Sequence, residues 1–233
     1  MPAWVEEMVV SRKGKAHVFD NLNPAATALV VVDMQNAFMM EGVAHTLCRQ
    51  AQDVVPNINR LARTVRATGG AVVWIQSEFT EETLTSWSTY FESIPRERLA
   101  QRIASLTRGN KGFELWDGLD VQPGDLKVIK ERYSAFIQGS SNLEQVLRER
   151  GLDTILVTGT TTDVCCESTA RDGVMRNFRA IMVTDGNAAI RDEMHSASLI
   201  NFYLYFGDIM PTDLLVGCLE RNAAAAKPAR AAS

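Results

Sequence analysis

Three side chains in this 233-residue sequence could share one chemistry: the thiol of Cys165, the carboxylate of Asp33 and the ammonium of Lys130. A thiol becomes a strong nucleophile once a base takes its proton. A carboxylate can be that base, and an ammonium can hold it in place or offset negative charge as it builds. Each residue also has an ordinary reading. A free cysteine is most often a small buried hydrophobe, a strand-end aspartate often caps a helix, and Lys130 could be a surface lysine on an edge strand. Cys48 and Cys218 take the ordinary reading. Cys165 differs by address, because it follows the turn Gly159-Thr-Thr-Thr-Asp163 and opens a helix. Unpaired N–H groups and the helix dipole at such a place favour a thiolate and can stabilise an oxyanion. Its neighbour Cys166 points roughly 100° away on a helix and reads as packed wall.

The elements that must position these groups show in the hydrophobic pattern. Ala28–Asp33 is a continuous β-branched run ending in a carboxylate, as in strands buried on both faces. Similar runs are Ala71–Gln76, Leu126–Lys130, Thr154–Thr158, Ala180–Thr184 and the short Asp208–Met210. Between them, helices are predicted over Asp53–Thr68 (stopped by Gly69-Gly70), Asn142–Arg150, Val164–Asn177, Asp192–Tyr205 and Thr212–Arg221. Ser77–Asp125 has mixed spacing and takes no firm assignment; so long a connection is often a lid or an oligomer contact. The alternation predicts a three-layer α/β/α fold with a mostly parallel six-stranded sheet, Rossmann-like in kind. Asp33, Lys130 and Cys165 then all fall at carboxyl ends of strands, where such sheets bind ligands. Residues 1–26 read as an extended arm with a turn at Asn21–Pro24, 27–222 as the catalytic domain and 223–233 as a disordered tail.

Composition narrows the function. The chain is 46% hydrophobic and 22% charged with net charge -4, which suits one globular α/β domain and gives no electrostatic draw to nucleic acid or anionic membrane. No apolar run reaches the ~20 residues of a membrane span. Met1–Val10 contains Trp4, Glu6 and Glu7 and lacks a signal-peptide core, so a reducing cytoplasm with free thiols is expected. His17, His45 and His195 stand in no HxH, HxxxH or HExxH pattern, so neither a zinc site nor a Ser-His-Asp site is expected.

Three motifs carry a resemblance: Val31-Val-Asp-Met-Gln-Asn-Ala-Phe38, Val128-Ile-Lys-Glu-Arg-Tyr-Ser-Ala-Phe136 and Thr158-Gly-Thr-Thr-Thr-Asp-Val-Cys-Cys-Glu-Ser-Thr-Ala-Arg-Asp172. In this order they resemble the isochorismatase-like cysteine hydrolases, from about Thr27 to the last helix. The likeness is to the amidohydrolase branch, which holds ureidoacrylate amidohydrolase, biuret hydrolase and N-carbamoylsarcosine amidohydrolase. It implies Asp33, Lys130 and Cys165 as a triad and a cis peptide between Thr160 and Thr161. It also implies an oxyanion hole from the N–H groups of Thr161 and Cys165, no cofactor, and a homodimer or homotetramer. The chain departs where nicotinamidases of the family carry metal-binding histidines: it reads Ser77-Glu78-Phe79, so neither a metal nor nicotinamide is expected. Gln122-Pro-Gly-Asp125, Arg132-Tyr-Ser134 and Glu167-Ser-Thr169 lean toward ureidoacrylate amidohydrolase, and so toward a small amide or ureide substrate.

The chemistry this implies is thiol deprotonation by Asp33, attack on the carbonyl, loss of ammonia or an amine, and hydrolysis of a thioester. Gln35, Phe38, Ser77, Trp116 and Tyr133 are the expected substrate contacts. Two rival functions remain: a vinyl-ether hydrolase of the isochorismatase type, which needs no thiol, and a non-catalytic binding protein of the same fold.

Overall fold

Side chains alternate across a strand, so a run that is apolar at every position must be covered on both faces. The six runs lie in one sheet, the central ones covered on both faces and the edge run Leu126–Lys130 leaving Lys127 exposed. In the computed structural model, which describes residues 1–226, the strands are β1 (Thr27–Val32), β2 (Ala71–Ser77), β3 (Leu126–Lys130), β4 (Thr154–Thr160), β5 (Arg179–Ala188) and β6 (Asp208–Met210). Their order is β3-β2-β1-β4-β5-β6 and every pairing is parallel, so the sheet is wholly rather than mostly parallel. Ala28, Val30 and Val32 face one core and Leu29 and Val31 the other.

The helices are α1 (Ala3–Lys13), α2 (Asn36–Met39), α3 (Val55–Ala67), α4 (Glu81–Ser86), α5 (Ser88–Glu92), α6 (Arg96–Leu106), α7 (Leu143–Arg148), α8 (Glu167–Met175), α9 (Asp192–Tyr205) and α10 (Thr212–Ala226). Helices α3 and α10 cover one face with Ile58, Leu61, Val65, Leu215 and Leu219; α1, α7, α8 and α9 cover the other. Among the described residues no helix is long and apolar enough to cross a membrane.

Four expectations need correction. The amino-terminal segment is not an extended arm, because residues 3–13 are helical. Val5 and Val9, one turn apart, are buried, Gly14 closes the helix at φ 84°, and Lys13 Nζ donates to the carbonyls of Tyr203 (2.6 Å) and Gly207 (2.7 Å) at the end of α9. Exposed Trp4, Met8 and Val10 hide the amphipathic contrast that would have shown it. The helix expected over 164–177 begins instead with a π turn at Thr162–Cys166, followed by α8. Strand β5 runs on to Ala188, because Asn187 and Ala188 pair with Gly159 and Thr160 beyond a register shift. Of the predicted disordered tail, residues 223–226 extend α10, and 227–233 lie outside the described residues.

Segment 77–125 contains α4, α5 and α6, which form a small separate core around Phe79, Phe91 and Leu106 above the carboxyl edge of the sheet.

Candidate active site

Strand order explains how the three groups meet. The carboxyl ends of β3, β2, β1 and β4 stand side by side and carry Lys130, Ser77, Asp33 and, after its turn, Cys165. The order reverses between β1 and β4, the kind of place where open α/β sheets form crevices.

Asp33 ends β1 in the left-handed region at φ 53°, which aspartate tolerates better than most residues, and its N–H donates to Ile75 O at 3.0 Å. The neighbouring strand makes room through Gly159, at φ 120°, where a Cβ would run into the carbonyl of Val32. The Asp33 carboxylate is fully buried. Its Oδ1 accepts from Ser77 Oγ at 2.9 Å and its Oδ2 lies 2.8 Å from Lys130 Nζ. Lys130 is buried too, and its Nζ donates to Ser77 Oγ (2.7 Å) and Arg132 O (3.0 Å) and lies 3.6 Å from Cys165 Sγ.

These surroundings fix the protonation pattern. Burial pushes the Cys165 thiol up, the charge of Asp33 adds to this, and Lys130 opposes it only in part. Cys165 thus rests as a neutral thiol, where the sequence led one to expect a lowered pKa. Burial alone would lower Lys130, but Asp33 and Cys165 together more than offset it and leave the ammonium raised. A neutral thiol beside a carboxylate–ammonium pair is an arrangement in which a base has a proton to take.

The turn carrying Cys165 is held from several sides. The peptide Thr160–Thr161 is cis. Thr161 O accepts from the N–H groups of Val164 and Cys166, both at 3.2 Å, and among the described residues no carbonyl accepts from the Thr161 N–H. Thr162 Oγ1 lies 2.8 Å from His195 Nδ1, so α9 braces the turn from outside. Cys166 is fully buried, with its thiol 3.8 Å from Thr158 O.

Cys165, Ser77, Phe38, Tyr133 and Thr161 line one cavity of about 160 Å³. Gln35 and Trp116, both expected at the substrate, do not. Gln35 accepts from Ser77 N (2.7 Å) and donates to Ser77 O (3.0 Å) and Phe113 O (2.9 Å), so it clamps β2 to the loop before β3. Gln35 pairs with Leu115 as an antiparallel bridge, and Trp116 packs against the core on the α3 side.

The rest of the wall was not found in the sequence. It includes Phe79, Trp87, Tyr90 and Arg102 from the segment containing α4, α5 and α6, with His45 and Asp163. Trp87 stacks on Tyr90 with centroids 4.0 Å apart, and both meet the Tyr133 ring edge-on. Arg102 donates to Tyr90 OH, and among the described residues it has no ion-pair partner. His45, against Ser105 Oγ at 2.6 Å, is pushed down to about 3 by burial, with Arg102 adding to the effect, so its ring is neutral. These residues lie on short helices and loops with no sequence signal beyond aromatic content.

Comparison with known proteins gives consistent matches. Residues 27–213 match the isochorismatase domain. The chain is 32% identical over 204 residues to the ureidoacrylate amidohydrolase of Caulobacter vibrioides, covering 82% of this chain and 90% of that one. Among solved structures it is similar to a cysteine hydrolase from Pseudomonas syringae pv. phaseolicola (TM-score 0.73, 29% identity, 87% of this chain and 96% of that one). It is also similar to N-carbamoylsarcosine amidase from Thermoplasma acidophilum (TM-score 0.63, 28% identity, 80% and 96%).

Proposed function

The chain belongs to the isochorismatase family, and on that premise we propose that it is a cysteine-dependent amidohydrolase cleaving a C–N bond in a small carbamoyl-type substrate. The observation that carries this reading is the meeting of the Asp33 carboxylate, the Lys130 ammonium and the Cys165 thiol beside one small cavity. Asp33 takes the thiol proton and the sulfur attacks the carbonyl carbon. The oxyanion rests on the N–H groups of Thr161 and Cys165. Protonated Asp33 returns its proton to the leaving nitrogen, ammonia or an amine departs, and water activated by the same carboxylate cleaves the thioester. Lys130 holds the carboxylate before transfer and faces the sulfur as it gains charge. The proposed assembly is a homodimer or homotetramer.

The names of two relatives, ureidoacrylate amidohydrolase and N-carbamoylsarcosine amidase, suggest a ureido or carbamoyl group that also carries a carboxylate. Arg102 supports this extension: it is a part-buried guanidinium in the wall that calls for an anion. The aromatic ring cluster beside it suits a flat, conjugated substrate.

The test is ammonia release from a panel of ureides and amides, with intact-protein mass spectrometry to find an acyl adduct on Cys165. The expected result is turnover of at least one ureide, an adduct on Cys165, and loss of both in Cys165→Ala. Undiminished turnover by Cys165→Ala would overturn the mechanism.

A further inference from the structure

Resting on that reading, we infer that Ser77 is a positioning residue for the reaction, holding the base and the ammonium through one hydroxyl rather than contacting substrate. Topology sets the need. Lys130 and Asp33 sit on β3 and β1, which are separated by β2, so their backbones stand roughly 10 Å apart at ordinary strand spacing. Ser77 ends the intervening strand, directly opposite Lys130 in register. Its hydroxyl has one hydrogen, donated to Asp33 Oδ1 at 2.9 Å, and it accepts from Lys130 Nζ at 2.7 Å. Both backbone groups of Ser77 are held by the buried amide of Gln35, which fixes where the hydroxyl stands.

Counting hydrogens shows what the hydroxyl does. The Lys130 ammonium has three N–H bonds and four neighbours: Ser77 Oγ, Arg132 O, Asp33 Oδ2 and Cys165 Sγ. Ser77 and Arg132 occupy two of the three. The third is donated to Cys165 Sγ, so Asp33 Oδ2, although 2.8 Å from the ammonium, has no hydrogen-bond donor among the described residues. That N–H therefore already faces the sulfur that will gain charge, and Asp33 Oδ2 is left open to take the thiol proton while the other two N–H groups keep the ammonium in place. Without the hydroxyl, one N–H is released and can turn onto Asp33 Oδ2, the oxygen left open for the thiol proton, while Asp33 Oδ1 loses its donor.

The experiment uses Ser77→Ala and Ser77→Thr in the full chain. One readout is the rate at which iodoacetamide alkylates Cys165, followed by mass against pH; the other is kcat/KM against pH on a turned-over ureide. In Ser77→Ala, kcat/KM should fall roughly 10- to 100-fold, the factor expected for a lost hydrogen bond to a charged group. The fall should lie in kcat, and the pH midpoint of Cys165 alkylation should move by about one unit. Ser77→Thr, which keeps the hydroxyl and suits a strand, should restore the midpoint and most of the rate. A wild-type alkylation profile in Ser77→Ala, or a loss confined to KM, would overturn the positioning role while leaving the triad standing. Failure of wild-type Cys165 to alkylate at any pH would overturn the triad and this role together.

Discussion

Removing Lys130 should expose how much of this protein's stability hangs on one buried pair. In Lys130→Met the ammonium is replaced by an uncharged chain of similar length. Asp33 then keeps its carboxylate in a site where its side chain is 0% exposed, with only Ser77 Oγ still donating to it. At 2.8 Å and an effective dielectric of about 20 the lost attraction is roughly 6 kcal/mol. That attraction is opposed in the wild type by the desolvation of two ions, each several kcal/mol, so the pair itself contributes little net stability. Stranding one ion is another matter, and costs roughly 3–5 kcal/mol out of a total of about 5–15. Asp33→Asn strands the ammonium by the same logic. The double variant strands nothing, because Asn still accepts from Ser77 and Met packs without charge. It should therefore be more stable than the sum of the singles predicts, by about 2 kcal/mol or more. Urea unfolding of all four proteins at pH 7, with m-values compared to ensure that the denatured states match, measures the cycle. All three variants should lose turnover, separating catalysis from folding. A single-variant cost below about 1 kcal/mol, or additive singles, would refute the buried-pair reasoning.

Two other outcomes follow from the cavity wall. Arg102→Gln should raise KM for a carboxylate-bearing ureide roughly 10- to 100-fold, the value of a charge-assisted hydrogen bond, and leave a neutral ureide unaffected; equal losses on both would remove Arg102 from substrate recognition. His45 is pushed down to about 3 in the folded protein and sits near 6.5 when unfolded. The unfolded chain therefore binds a proton that the folded one refuses, and stability should fall as pH drops below about 6.5, by about 1 kcal/mol per unit toward pH 3. Thermal unfolding at pH 7.5 and 5 should show this decline in wild type and a shallower one in His45→Gln; parallel declines would contradict the assignment.

Much of the architecture was legible because a parallel sheet buried on both faces leaves an uninterrupted apolar trace. Thr154–Thr158 and Asp208–Met210 could be read as strands for this reason, and Asp192–Tyr205 as a helix with the same bounds as α9. What failed were places where local pattern competes with a tertiary constraint. Helix α1 shows apolar residues on two sides, one packed and one exposed. The start of the Cys165 helix is a π turn because Thr161 O takes two N–H groups, a choice made by the end of β4 rather than by helix propensity. Helices α4 and α5 are six and five residues long, too short for periodicity to register, and the stretch that holds them is fixed by contacts of Trp87 and Tyr90 with Tyr133 from a distant segment.

The site follows a similar division, and the reason is geometric. A residue at a strand end inherits its position from the sheet, so Asp33 and Lys130 could be placed on one rim from sequence alone. What sequence does not contain is strand order. Only the order β3-β2-β1-β4 makes Ser77 the neighbour of both Lys130 and Asp33, and only that adjacency turns a serine expected to touch substrate into one bonded to two charged groups. Gln35 makes the same point from the other side: its polarity suggested a ligand contact, yet all three of its bonds are spent on backbone groups of Ser77 and Phe113. In a buried polar cluster most donors and acceptors are already committed, and here Asp33 Oδ2 is the acceptor left open. A residue's role there is set by which neighbour its hydrogen faces, and that is a property of topology before it is a property of residue type.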